Sequence, residues 1–136
     1  MCPNPDSESV SARPIKVLTV DDQPVFRRAV RKLIAATPGF LQVGEAASGR
    51  RALKLAAELR PDLVLVEVRM PAMDGLETTR RLAEVAPDAV VVLTSLEELP
   101  ELPSAVGSVG AATHVKKQSL STDALQELWK AHAPAR

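Results

Sequence analysis

Four apolar runs in this chain are each followed or closed by a side chain that can bind a metal ion or a phosphoryl group. The first two runs bring carboxylates, the third a hydroxyl and the fourth an amine, and in chain order these are Asp21 and Asp22, Glu67, Thr94, and Lys117. A further acid, Asp74, follows in the loop after the second run. Hard oxygen ligands suit Mg²⁺. The residue types therefore predict a site for a divalent metal and a phosphoryl group.

The apolar runs must be parallel strands for these side chains to meet. They are near-continuous and rich in β-branched residues, as expected for strands covered on both faces, and they span residues 15–20, 63–68, 89–93 and 114–116. A shorter strand is predicted at residues 42–46. Helical patterns alternate with the strands, which indicates βαβ units. Ligands of such sheets lie at the carboxyl ends of the strands, where the acids, the hydroxyl and the amine fall.

Capping and stop signals predict the helix limits. The first helix begins near Pro24, after Asp22 or Gln23, and the second is capped by Ser48 and ended by Arg60 and Pro61. The third and last helices are predicted at residues 75–85 and 122–132. Prolines 100 and 103 interrupt residues 96–109, so a short, late-starting or irregular helix is expected there.

Composition limits the classes of function. The 136 residues give room for one domain, and 17 basic residues balance 17 acidic ones. Without a basic patch, nucleic-acid binding through this domain is not expected. The one cysteine cannot form an internal disulfide, no apolar run is long enough to span a membrane, and no signal sequence is recognisable. A cytoplasmic location is expected, with residues 1–14 as a flexible tail.

The motifs resemble the receiver domain of two-component response regulators, most closely that of LuxR-type regulators. The resemblance covers residues 15–132 and depends on four motifs in order: Asp21-Asp22, Glu67-Val68-Arg69-Met70-Pro71 with Asp74-Gly75, Leu93-Thr94-Ser95, and Gly110-Ala111 leading to Lys117. It implies a flavodoxin-like α/β fold, a five-stranded parallel sheet with helices on both faces, as a receiver domain at residues 15–133.

The resemblance also implies a role for each site residue. Asp21 and Asp22 would bind Mg²⁺, with Asp22 the more direct ligand, helped by the backbone carbonyl of Arg69. The hydroxyl of Thr94 would bond a phosphoryl oxygen, and His114 would respond to it as part of a switch. Phosphate binding is assigned to Lys117, with Lys116 as the alternative, because neighbouring residues on a strand face opposite ways.

Glu67 departs from the family, whose members carry the phospho-accepting aspartate at this position. Glutamate places its carboxylate about one C–C bond further out, and a displacement of ~1 Å can slow a reaction about 10²-fold. Glu67 is expected to bind or obstruct the metal, to ion-pair with Lys117, and to imitate the phosphorylated state in part. Phosphotransfer is then reduced or lost, and signalling proceeds through protein–protein contacts.

Other interpretations stay open at this point. Asp21 and Asp22 could form a solvated turn, and Thr94 and His114 could be ordinary residues of a strand. The chain could also be a conventional receiver with a designed glutamate, or a phosphatase-type enzyme, although Arg69 stands where a phosphatase needs a second acid. The expected partner is a sensor histidine kinase or other signalling protein. A homodimer stays open, and no DNA-binding module is expected after residue 133.

Overall fold

The computed structural model describes residues 13–98 and 102–134, and for residues 102 and 103 it describes the backbone alone. Apart from its last two residues, the predicted N-terminal tail, residues 1–14, lies outside the described residues. Within them, strands and helices alternate along the chain, as predicted. No helix in this part of the chain is long and apolar enough to cross a membrane.

Within the described residues, five parallel strands form one sheet in the order β2-β1-β3-β4-β5. Their limits are Ile15–Val20 (β1), Phe40–Ala46 (β2), Leu63–Glu67 (β3), Val90–Ser95 (β4) and Thr113–Lys116 (β5). All four strand pairs are parallel, and the only register shift in them falls between Val17 and Leu18 of β1, opposite β2. The flavodoxin-like fold is confirmed.

In the described part of the chain, four α-helices connect successive strands and a fifth follows β5. They lie at Pro24–Ala35 (α1), Gly49–Leu59 (α2), Gly75–Val85 (α3), Leu102–Ser108 (α4) and Thr122–His132 (α5). Side chains cap three of them: Ser48, Asp74 and Ser121 each accept a hydrogen bond from a backbone amide in the first turn. The first helix instead begins with Pro24, which has no backbone N–H that would need a hydrogen-bond acceptor at this position.

Two apolar cores lie on opposite faces of the sheet, because alternate residues of each strand point to opposite sides. On β3, Leu63 and Leu65 pack against α1 and α5, together with Ile34 and Leu125. The intervening Val64 and Val66 join the core beneath α2 and α3. The near-continuous apolar runs thus supply both cores, and the polar residues of the site lie at the carboxyl ends of the strands or directly after them.

The helix after β4 is short, as the two prolines predicted. It spans only seven residues, Leu102–Ser108, and Pro103 is its second residue, where the missing amide costs little. Residues 99–101 lie outside the described part of the chain. The preceding residues 96–98 are exposed, so β4 leads directly into a surface segment.

Candidate functional site

Four strands bring the acids, the hydroxyl and the amine to one edge of the sheet. Asp21 follows β1, Glu67 is the last residue of β3, and Thr94 on β4 lies opposite Glu67 in the register. The fourth side chain, Lys117, opens the short 3₁₀ turn Lys117–Ser119 directly after β5. All four residues are buried, so the edge carries a buried polar cluster, called the pocket below, rather than a solvated rim.

The ammonium of Lys117 lies between the two buried carboxylates. Its Nζ is 2.5 Å from Glu67 Oε1 and 2.7 Å from Asp21 Oδ2. The exposed fractions of the three side chains are 3% for Lys117, 7% for Glu67 and 0% for Asp21. The ion pair predicted between Glu67 and Lys117 is therefore present, and Asp21 shares the same cation.

The second oxygen of Glu67 fixes the carboxylate against the backbone. Glu67 Oε2 accepts a hydrogen bond of 2.8 Å from the amide of Arg69. Behind it, α3 begins in close contact with β3: a Cβ on Gly75 would lie 2.1 Å from the carbonyl oxygen of Glu67, so only glycine fits there. Both carboxylate oxygens of Glu67 therefore have donors, and the strand end that carries them is tightly packed.

Charge compensation keeps Lys117 protonated. Burial of the ammonium would by itself lower the pKa of Lys117, but its hydrogen bonds to Asp21 and Glu67, with their negative charges, outweigh burial and raise this pKa above its ordinary value. The stability that this shift reflects is present at neutral pH and is lost only as the pH rises through the raised pKa. Near pH 7 the pocket thus contains a fixed cation.

Two further contacts of Lys117 were not predicted from the sequence. The Phe26 ring of α1 has its centroid 4.2 Å from Lys117 Nζ, a cation–π distance. Gln23, just before α1, accepts a 3.3 Å hydrogen bond from Nζ. An apolar residue near the start of the first helix was visible in the sequence, but its position over the lysine follows from how α1 packs on the sheet.

Lys116, the alternative to Lys117, lies outside the pocket. Its Nζ is 3.1 Å from Glu98 Oε1 on the surface segment after β4, and its side chain is 38% exposed. The last residue of β5 and the first residue of the 3₁₀ turn thus point in different directions. Of these two lysines, Lys117 is the one that contacts the buried acids within ion-pair distance.

The predicted metal ligands are only partly brought together. Asp21 Oδ1 accepts a 2.9 Å hydrogen bond from the Gln23 amide, and Oδ2 faces Lys117, whereas Asp22 is half-buried and makes no ion pair with the lysine. Asp74 caps α3 instead of entering the pocket. Within residues 13–98 and 102–134 no three acids, histidines or cysteines are grouped as a metal site.

Ser95, the residue after Thr94, and His114 form a hydrogen-bonded pair. Ser95 Oγ donates to the Glu97 carbonyl at 2.7 Å and is also 2.7 Å from His114 Nε2. A hydroxyl has one proton, so His114 must donate through Nε2 if Ser95 donates to Glu97. His114, expected to respond to Thr94, thus contacts the next residue and helps to hold the segment after β4.

Below neutral pH, we expect His114 to destabilise the folded protein. Burial lowers the pKa of His114 from its ordinary 6.5, assisted by the charge of Lys116 and opposed by those of Glu98 and Glu67. A lowered pKa means that the folded state favours the neutral ring, so this stability is complete above pH 6.5 and is lost as the pH falls through the lowered value. Chemical denaturation across this range would measure the loss.

The matched variant for this test is His114→Gln, whose amide can still donate to Ser95 but does not titrate. The difference in unfolding free energy between wild type and variant should shrink or reverse in sign as the pH falls, because only the wild type carries this ring. An NMR titration gives the pKa of His114 directly. A pKa above 6.5, or a difference that does not change with pH, would contradict the expectation.

Comparison with known proteins gives one family for nearly the whole domain. The response regulator receiver domain family matches residues 17–130. The response regulator GacA of Pseudomonas aeruginosa is 38% identical over 122 residues, which cover 90% of this chain and 57% of GacA. The chain thus spans about half the length of the curated relatives it matches.

Solved structures agree with this assignment. The receiver domain of the putative regulator NarL from Mycobacterium tuberculosis has a TM-score of 0.80 and 28% identity, covering 88% of this chain and 99% of that one. The receiver domain of the histidine kinase CKI1 from Arabidopsis thaliana, solved with Mg²⁺, has a TM-score of 0.72 at 22% identity, covering 83% of this chain and 90% of that one, and shows likeness of fold alone. The chain belongs to the response regulator receiver family.

Proposed function

We propose that this receiver domain acts in two-component signalling in a state that Glu67, rather than a phosphoryl group, maintains. Glu67 occupies the position that the family resemblance assigns to the phospho-accepting aspartate. In this proposal its carboxylate supplies, permanently, part of the negative charge that phosphorylation would supply transiently. The domain then signals through protein–protein contacts without phosphotransfer.

The two contacts of the Glu67 carboxylate carry this proposal. One oxygen reaches the ammonium of Lys117 at 2.5 Å and the other reaches the amide of Arg69 at 2.8 Å. An aspartate at this position has a shorter side chain. Its carboxylate would need an added group to reach Lys117 Nζ and the Arg69 amide as that of Glu67 does. Glutamate brings one negative charge where a phosphoryl group brings nearly two, so the imitation is partial.

The roles of the neighbouring residues follow from the same proposal. Thr94, opposite Glu67 in the register, would have no phosphoryl oxygen to bond, and Lys117 would act as the partner of Glu67 rather than of phosphate. Weak Mg²⁺ binding at Asp21 and Asp22 would require a metal ion to compete with the ammonium. The partner would be a sensor histidine kinase or other signalling protein.

NMR spectroscopy of the ¹⁵N-labelled protein tests whether Glu67 sets the state of the domain. We expect Glu67→Gln to shift the amide signals of Arg69, Lys117 and residues 94–98, because the substitution removes the charge that holds the pocket. Addition of acetyl phosphate to the wild type should leave the same signals in place. Large shifts with acetyl phosphate, or none with Glu67→Gln, would contradict the proposal.

Glu77→Gln provides the matched control. Glu77 is an acid of α3 that pairs with Arg80 and Arg81 at the surface. Its neutralisation should change signals near α3 only, because exposed ion pairs contribute little to the rest of a domain. If Glu77→Gln shifted the signals of Lys117 and residues 94–98 as much as Glu67→Gln does, those shifts would report the loss of any negative charge. They would then not be specific to Glu67.

A further inference from the structure

We propose that Arg27, a residue of α1, is a positioning residue for the buried acid Asp21, and that Glu45 on the edge strand β2 holds Arg27 in place for this role. Neither Arg27 nor Glu45 belongs to the motifs that carry the family resemblance. The proposal goes beyond the proposed function, since these contacts would act on Asp21 whether or not Glu67 replaces a phosphoryl group.

The backbone carbonyl of Asp21 is the group that Arg27 contacts. Asp21 follows the last residue of β1 and is fully buried, and Arg27 Nη1 donates a 2.7 Å hydrogen bond to its carbonyl oxygen. No backbone amide in the described part of the chain donates to this oxygen. A buried carbonyl without a donor is unfavourable, so the main-chain position of Asp21 depends on the guanidinium of Arg27.

The other polar groups of Asp21 are fixed as well. Its amide donates to the carbonyl of Ala46 at 3.0 Å, and its Oδ1 accepts from the Gln23 amide at 2.9 Å. With the carbonyl held by Arg27, both peptide groups of the residue are fixed, and the side chain is directed so that Oδ2 lies 2.7 Å from Lys117 Nζ. Arg27 thus acts on this ion pair through the main chain of Asp21 rather than through its carboxylate.

Glu45 fixes the guanidinium of Arg27 from the other side. Arg27 Nε lies 3.6 Å from Glu45 Oε1, and both side chains are mostly buried. Glu45 in turn accepts a 2.7 Å hydrogen bond from Gln42 and two from Arg31, at 2.5 and 2.9 Å. The Arg31 hydrogen bond above all, with that of Gln42 and the charges of both arginines, outweighs burial and lowers the pKa of Glu45. The acid therefore stays charged at neutral pH and keeps Arg27 directed toward Asp21.

Arg31 supplies a matched comparison within the same helix. It lies one turn after Arg27 on α1 and shares Glu45 with it, but its side chain is about half exposed. Its hydrogen bonds go to Glu45, whereas Arg27 also bonds the Asp21 carbonyl. The two arginines therefore carry the same charge beside the same acid and differ in the contact with Asp21.

NMR spectroscopy at one neutral pH tests the proposal through the ammonium protons of Lys117. These protons are buried, so their exchange with water requires the pocket to open, and a loosely held Asp21 makes opening more frequent. The exchange rate should rise by about tenfold in Arg27→Met, because the buried carbonyl acceptor is left unsatisfied. In the matched control Arg31→Met, the rate should change by less than about twofold.

The same measurement in an Asp21→Asn background shows whether the effect passes through the acid. The amide of the substituted side chain no longer attracts the ammonium, so adding Arg27→Met should leave the Lys117 exchange rate within about twofold. A merely structural role of Arg27 would speed exchange in either background. An unchanged rate in Arg27→Met alone, an equal rise in Arg31→Met, or a rise that persists beside Asp21→Asn would overturn the proposal.

Arg27→Lys decides the matter if Arg27→Met does not fold. Lysine keeps the charge, but one ammonium cannot contact the Asp21 carbonyl and Glu45 as the guanidinium does. Exchange at Lys117 that is faster than in the wild type would support the proposal, and exchange at the wild-type rate would overturn it.

Discussion

Lys117→Met should lower the free energy of unfolding by about 3–5 kcal/mol in metal-free buffer. The variant leaves Asp21 and Glu67 buried without the cation that both contact. Urea denaturation at neutral pH measures the loss. Lys116→Met, which removes a half-exposed ion pair to Glu98, should cost under about 1 kcal/mol. Comparable losses in the two variants would mean that the pocket does not depend on its ammonium.

A double-mutant cycle separates the Glu67–Lys117 interaction from general damage to the pocket. Glu67→Gln and Lys117→Met together should cost less than the sum of the single changes, with a coupling energy of about 1–3 kcal/mol. The double variant removes one cation and one anion, so it leaves fewer unbalanced charges than Lys117→Met alone. Additive losses would show that Glu67 and Lys117 do not interact, despite their 2.5 Å separation.

The fold was largely predictable because strands and helices in this chain carry strong local signals. The limits of β1, α2, α3 and α5 agree with those expected from apolar runs, caps and prolines. Less predictable was β2, which begins at Phe40 rather than at residue 42. It is an edge strand whose first residues pair with β1, and no run of apolar residues marks that pairing.

The site was predictable in its residue types but not in its contacts. The order of motifs indicated that Asp21, Glu67, Thr94 and Lys117 would meet, since all lie at or just after the carboxyl ends of strands of one sheet. Whether an acid enters the pocket depends on side-chain direction, and Asp74 instead caps α3. The contact of Phe26 with Lys117 depends on helix packing, which no local pattern encodes.

Glu67→Asp should turn the domain from one that cannot accept a phosphoryl group into one that can. The shorter side chain withdraws the carboxylate by about one C–C bond from Lys117 and frees that lysine and Thr94 for phosphoryl oxygens. Because in-line transfer is sensitive to displacements of ~1 Å, the change should increase the labelling rate by at least about 10²-fold. Asp21, Thr94 and Lys117 must all be in place for this gain.

Intact-mass spectrometry after incubation with acetyl phosphate and Mg²⁺ tests the central claim most directly. The account predicts no added mass on the wild type and one phosphoryl group, about 80 Da, on Glu67→Asp. A Glu67→Asp, Lys117→Met double variant serves as the control that should lose the label. A phosphorylated wild type, with the group mapped to Glu67, would contradict the account, and so would a folded Glu67→Asp protein that stays unlabelled.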